Sequence, residues 1–157
     1  MPGAMLLTNY GRLTGYRMHL AEQRLNSNHG RLLHAANNLP AHLREARVPD
    51  SDWTARDVLA HVLAWQEEAL RRFGERQVRY LTRQQIDGWN AVSHQAMRGL
   101  AWDEVLTRIQ AAHLRLRAHL SEEPPSWFAA CTYRHYTEHT RSLLALASTN
   151  SQLSAAS

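Results

Sequence analysis

Apolar residues recur along this chain at intervals of three and four, the period of a helix with one face turned to a core. Val58, Val62, Trp65, Ala69 and Phe73 form one such stripe, flanked by Leu59 and Leu70. Val105, Ile109, Ala112, Leu116 and Leu120 form another. No stretch alternates cleanly between apolar and polar as a half-buried strand does, and Val, Ile and Thr are sparse. The pattern predicts four main helices and a shorter fifth. The first covers about Gly15 to Leu39 and stops at Pro40, with "NSNHG" as the place for a kink or break near Gly30. The second starts at Thr54, where Thr54 and Asp57 have the spacing of a capping box, and Trp53 and Val58 that of a hydrophobic staple. Gly74 ends it. A less regular stretch then holds a loop and a short helix around Trp89 to Arg98. Next comes the helix of "DEVLTRIQAAHLRLRAHL", broken by "SEEPPSW", and a last helix that ends near Ala147. Amphipathic helices of this length make an all-α four-helix bundle the expected fold. Residues 16–147 form that domain, 1–15 precede it as an extension, and the small polar tail 148–157 is expected to be disordered.

Composition narrows the possibilities. A chain of 157 residues fits one domain. No apolar run is long enough to cross a bilayer, and the first residues lack a sustained hydrophobic segment, so the expected location is the cytoplasm. The net charge is +4 with Arg as the basic residue throughout and no Lys. These arginines alternate with acids, as in "LREAR" and "QEEALRR", and read as solvated helix faces. Neither nucleic acid nor a membrane is therefore expected as a partner. The single Cys131 excludes an intrachain disulfide and a thiolate cluster. It reads as a buried structural residue rather than a reactive thiol.

Ten histidines remain to be explained. His135 and His139 lie four apart in "TYRHYTEH", which stacks both imidazoles on one side of a helix at the border of its apolar face. His61 holds a similar border on the second helix, beside Trp65. Three neutral imidazoles from two helices would bind Zn²⁺, Ni²⁺ or Fe²⁺ and leave positions open for water or substrate. The plainer alternative is three half-buried residues bonded to backbone or water. His19, His29, His34, His42, His94, His113 and His119 lack this spacing and read as surface or interface residues. Asp57 reads as a helix cap rather than an orienter of His61. Glu138 reads as a surface carboxylate, with a supporting role behind the ligands as the alternative. Tyr133 and Tyr136 read as core, and Trp89 and Asn90 as candidates for a pocket mouth.

At this point the sequence resembles a family. "DWTARDVLAHVLAWQEEAL" resembles the second-helix signature of DinB-like proteins, and "TYRHYTEHTRSL" their last-helix motif of His, three residues, His. Within the family it resembles the ClbS/DfsB group, through Tyr133, His135, Tyr136, Glu138 and His139 and through "GWNAVSHQAM" with the helix that follows. The resemblance covers about residues 16–147. It implies a DinB-like bundle of up-down-down-up topology, often a homodimer, with a divalent metal held by His61, His135 and His139. Characterised members include transferases and isomerases dependent on low-molecular-weight thiols such as bacillithiol, mycothiol or glutathione. The ClbS branch implies resistance through opening of a strained ring, but ClbS carries an aromatic residue where this chain has His61, so that chemistry is not carried over.

Three functions follow as expectations. The first is a metal-dependent enzyme, a thiol-dependent transferase or a hydrolase, acting on a small electrophile. The second is a non-catalytic small-molecule-binding or resistance protein. The third is an interaction module that dimerises and has no pocket.

Overall fold

The computed structural model describes residues 4–75, 78–121 and 124–156, with side-chain surroundings from residue 20 onward and Ser121 excepted. It is all-α: α1 is Ala4–Asn38, α2 Ala55–Phe73, α3 Arg83–Met97, α4 Trp102–Ala118, α5 Phe128–Cys131 and α6 Tyr133–Ala155. Single 3₁₀ turns follow α1 at Ala41–Leu43 and α4 at His119–Ser121.

The ends of α2 show why the helix lies where it does. Thr54 is the N-cap, its hydroxyl accepts from the Asp57 amide, and the Asp57 carboxylate accepts from the Thr54 amide, closing the capping box. Two backbone donors that a helix start leaves unpaired are satisfied at once. The loop before it is pinned by an antiparallel bridge between Arg47 and Thr54. It turns through Asp50 at φ 58°, a left-handed conformation that Asp tolerates better than most residues. Gly74 caps the other end with φ −81°, so the glycine is not needed there for a left-handed turn. Val58, Leu59, Val62, Leu63 and Ala69 are all buried. Each fully buried Val or Leu contributes on the order of 2 kcal/mol relative to exposure, which makes α2 the central element of the core.

Four helices form the bundle. The start of α4 lies near the start of α2, since Arg44 both stacks over Trp102 and accepts from the Arg56 amide through its carbonyl. Those two helices are therefore parallel neighbours. Helix α1 runs against α4, with Glu22 beside Arg117 and His29 stacked on His113. It runs alongside α6, where the Asn28 side chain donates to the Tyr133 carbonyl. Helix α6 runs against α2: Phe73, at the end of α2, packs on Phe128 just before α6 begins. The result is up-down-down-up, with α3 in the crossover between the two parallel helices.

Several boundaries differ from those expected. Helix α1 passes through Gly30 without a break, and a Cβ there would meet nothing within 4 Å. It also begins at Ala4, inside the 1–15 extension, of which residues 1–3 lie outside the described residues. Helix α3 starts six residues before Trp89, on a second capping box between Thr82 and Gln85. Helix α6 continues to Ala155, where residues 148–157 were expected to be a disordered tail. Its Thr149, Ser151 and Ser154 hydroxyls donate to carbonyls four residues back, which accommodates polar residues within the helix. Among the described residues, no helix is long and apolar enough to cross a membrane.

Candidate metal centre

The fold brings His61, His135 and His139 together. One ligand atom from each lies within 4.8 Å of the others. The ring centroids are 4.8 Å apart for His61 and His135, 5.1 Å for His61 and His139, and 4.4 Å for His135 and His139. His61 comes from the second turn of α2. His135 and His139 come from the first two turns of α6, which start at a fixed point. Thr132 leaves helical geometry with φ −127° and ψ −105°, its hydroxyl donates to the Phe128 carbonyl, and its own carbonyl accepts from the Tyr136 amide. Tyr136 then anchors the helix in the core, fully buried, its hydroxyl accepting from Gln66 Nε2 at 2.8 Å.

All three imidazoles are held neutral. Burial lowers His61 to about 3, with help from His139 and His94. Burial lowers His135 to about 2, with help from His139 and His61. His139 is also lowered, again by burial, against the opposing pull of Glu138. Neutral imidazoles have the lone pairs that a metal needs. His61 Nδ1, His135 Nε2 and both ring nitrogens of His139 are buried without a hydrogen-bond partner. Buried polar atoms are normally paired, and leaving one unpaired costs about 1–3 kcal/mol. Three converging rings with orphaned nitrogens therefore fit a divalent cation.

The triad lines one side of a cavity of about 450 Å³. Trp65, Leu81, Ile86 and Trp127 supply its apolar walls, and Asn90, Arg72 and Glu138 its polar points. Trp65 is held by an Nε1 hydrogen bond to Asn90 Oδ1 at 3.2 Å and by Trp89, 4.5 Å away centroid to centroid. The two residues expected at a pocket mouth thus have distinct parts: Asn90 lines the cavity and Trp89 backs its wall.

Other candidates take different places. Asp57 caps α2 and touches Arg56; burial raises its pKa, but the Thr54 hydrogen bonds and Arg56 outweigh this and hold it low. It does not bond His61. Glu138 is exposed at the cavity edge. Cys131 lines the cavity but is buried, and burial pushes its thiol up to about 11, the opposite of a reactive cysteine. His29 and His113, expected at the surface, are instead buried in the core and stacked 3.7 Å apart. His94 is half-buried, stacked on Trp53 with Nε2 3.5 Å from Asp57. His34, His42 and His119 are exposed, and the His19 side chain lies outside the described residues. The sequence reading also missed Glu68 and Arg72, buried although "QEEALRR" reads as a solvated face. The available signal was position: Arg72 is seven residues after Trp65, two turns along the same side of α2.

Comparison with known proteins gives the geometry its context. The family model described as the DinB superfamily matches residues 24–151. No protein among those with curated descriptions matches the sequence. Three solved structures share the fold. An uncharacterised protein from Escherichia coli UTI89 superposes with a TM-score of 0.74 at 12% identity, over 88% of this chain and 95% of that one. A protein described as sibling lethal factor precursor, DfsB, gives 0.63 at 15% identity, over 80% and 92%. An uncharacterised protein from Clostridium difficile 630 gives 0.63 at 11%, over 78% and 90%.

Proposed function

The chain belongs to the DinB superfamily, and from that premise we propose that it is a divalent-metal-dependent enzyme acting on a small electrophile, as a thiol-dependent transferase or a hydrolase. His61, His135 and His139 would hold the metal. The observation that carries this reading is the convergence of three neutral, unpartnered imidazoles on the wall of a cavity large enough for a small molecule. A divalent cation bound there supplies acidification of a thiol or a water, which makes a nucleophile available near neutral pH.

The chain's own residues do the rest. Trp65, Leu81, Ile86 and Trp127 give the cavity apolar walls, and a molecule seated against them displaces water, which strengthens the electrostatic contacts it makes there. Tyr136 and Gln66 fix the first turn of α6 and so the separation of its two histidines. The Trp53 indole packs at an angle against His61 at 4.7 Å and is itself stacked with His94, so the His61 ring is positioned by packing. The ligand types leave Zn²⁺, Ni²⁺ and Fe²⁺ as candidates. Bacillithiol, mycothiol and glutathione are the candidate thiols. We further propose a homodimer with no nucleic-acid or membrane partner, a state that light scattering on purified protein tests directly.

The test is metal content per chain on untagged protein, wild type beside His139→Ala. Near-stoichiometric metal in the wild type and none in the variant supports the reading. Two empty proteins, even after soaking with Zn²⁺ or Ni²⁺, would overturn it and favour the small-molecule-binding protein without metal-dependent turnover.

A further inference from the structure

The cavity has a second polar pole. Arg72 is 6% exposed, yet it lines the cavity. Its Nε donates to Glu68 Oε1 at 2.8 Å, and its guanidinium carbon lies 5.9 Å from the Trp65 ring and 5.6 Å from the Trp127 ring. Glu68 is itself held by Arg71, which donates to both carboxylate oxygens at 2.8 Å. One edge of the Arg72 guanidinium is therefore fixed by an ion pair, and its carbon lies over two indole rings. Its two terminal nitrogens make no hydrogen bond to the described residues. An arginine buried to this degree with its terminal nitrogens uncommitted is a ready receptor for a planar two-oxygen anion, because its ion pair with Glu68 holds the guanidinium in place at the cavity wall and leaves two donors to give.

The reach is short. The Trp65 ring lies 5.9 Å from the Arg72 guanidinium carbon and 5.9 Å, ring to ring, from His135. One small molecule lying along Trp65 would touch both poles. Trp65, Trp127, Leu81 and Ile86 form the cavity's apolar walls.

We propose that the electrophile taken by this site is an apolar carboxylic acid whose carboxylate is clasped by Arg72, leaving its reacting atom toward the histidine triad. This rests on reading the cavity as the substrate site of the enzyme. Arg72 is a binding residue in this scheme and takes no part in bond-making.

The experiment uses phenylacetate and its neutral counterpart phenylacetamide as probes. Each is titrated into the full chain, treated with chelator, while the indole N–H resonances are followed by NMR. The acid is expected to bind about tenfold tighter than the amide in the wild type, the gain of a charge-assisted bidentate pair. In Arg72→Met the ratio falls to near one. Arg72→Lys is run beside it, with thermal melting on both to show that they fold. A lysine retains charge without the fork, so partial preference is expected. Equal affinity for acid and amide in the wild type, no binding of either, or a preference unchanged in Arg72→Met would each overturn the assignment. The metal assay on His139→Ala is independent of all these readouts. A protein that loads metal but ignores the carboxylate defeats only this inference, and one that selects the carboxylate but never loads metal defeats only the enzyme reading.

Discussion

Two clusters of histidine lie inside this bundle, and they differ in what surrounds them. His29 on α1 and His113 on α4 face each other with centroids 3.7 Å apart and planes within 3° of parallel. His61, His135 and His139 meet at steep angles, 50° to 85° between planes. Burial lowers the pKa in both clusters, and orphaned ring nitrogens occur in both. Neither feature therefore marks a ligand site. Parallel rings turn their faces to each other, whereas the tilted rings bring three nitrogens within 4.8 Å of one another beside a cavity. That difference is the ground for reading the first cluster as packing and proposing the second as the metal site.

The comparison breaks most visibly on metal loading. His135→Ala is expected to abolish it, as His139→Ala is, while His113→Leu leaves it intact. Elemental analysis of the three proteins decides this, and loss of metal in His113→Leu would mean that the clusters are not separate. Next in size is stability. His113→Ala removes a ring from a stack within the core and should cost about 2–3 kcal/mol in urea unfolding, the range for a buried cavity.

Acid sharpens the contrast further. His29 and His113 titrate at 6.5 in the unfolded chain but at about 3 and about 4 in the fold, chiefly through burial. Above pH 6.5 neither state takes a proton and the pair is neutral in effect. As pH falls through 6.5 toward 4, the unfolded chain gains protons that the native stack refuses, so stability drops. The loss should be about 1.4 kcal/mol per imidazole one pH unit below the unfolded value. Urea midpoints of wild type and the double variant His29→Leu with His113→Leu, compared between pH 7 and 5, measure it. The variant's midpoint should fall less, and equal slopes would show that the stack does not carry the acid sensitivity. The smallest effect has the opposite sign. In metal-free protein, His135→Leu replaces an unpaired buried nitrogen with carbon and should raise stability by up to about 1 kcal/mol. A loss of that size instead would mean that His135 is satisfied without metal.

Legibility in the sequence followed the same division. The α2 stripe, the Thr54–Asp57 capping box and the His135–His139 spacing are local patterns, and each stands where periodicity put it. His61 enters the triad from its place at the border of the α2 stripe beside Trp65, and the family resemblance then strengthens it, because one helical histidine carries no spacing of its own. The His29–His113 stack is invisible at that level, since its two members share neither a helix nor a spacing. The first turn of α3 is hard to see in the sequence because none of the helix's residues is buried and no apolar stripe marks it; the Thr82–Gln85 capping box is its local signal. Arg72 and Glu68 were hidden by their neighbours. "LRR" holds one half-exposed arginine and one buried one, and only the phase relative to Trp65 tells them apart.

The topology has a mechanical consequence. Helices α1 and α6 are neighbours that run the same way, so Ala4 at the start of one and Ala155 at the end of the other lie toward opposite ends of the bundle. Tension between those two points slides the α1–α6 seam lengthwise. Its contacts then share the load and yield together, which makes this pair of handles a resistant one, in contrast to a hairpin of helices that unzips turn by turn.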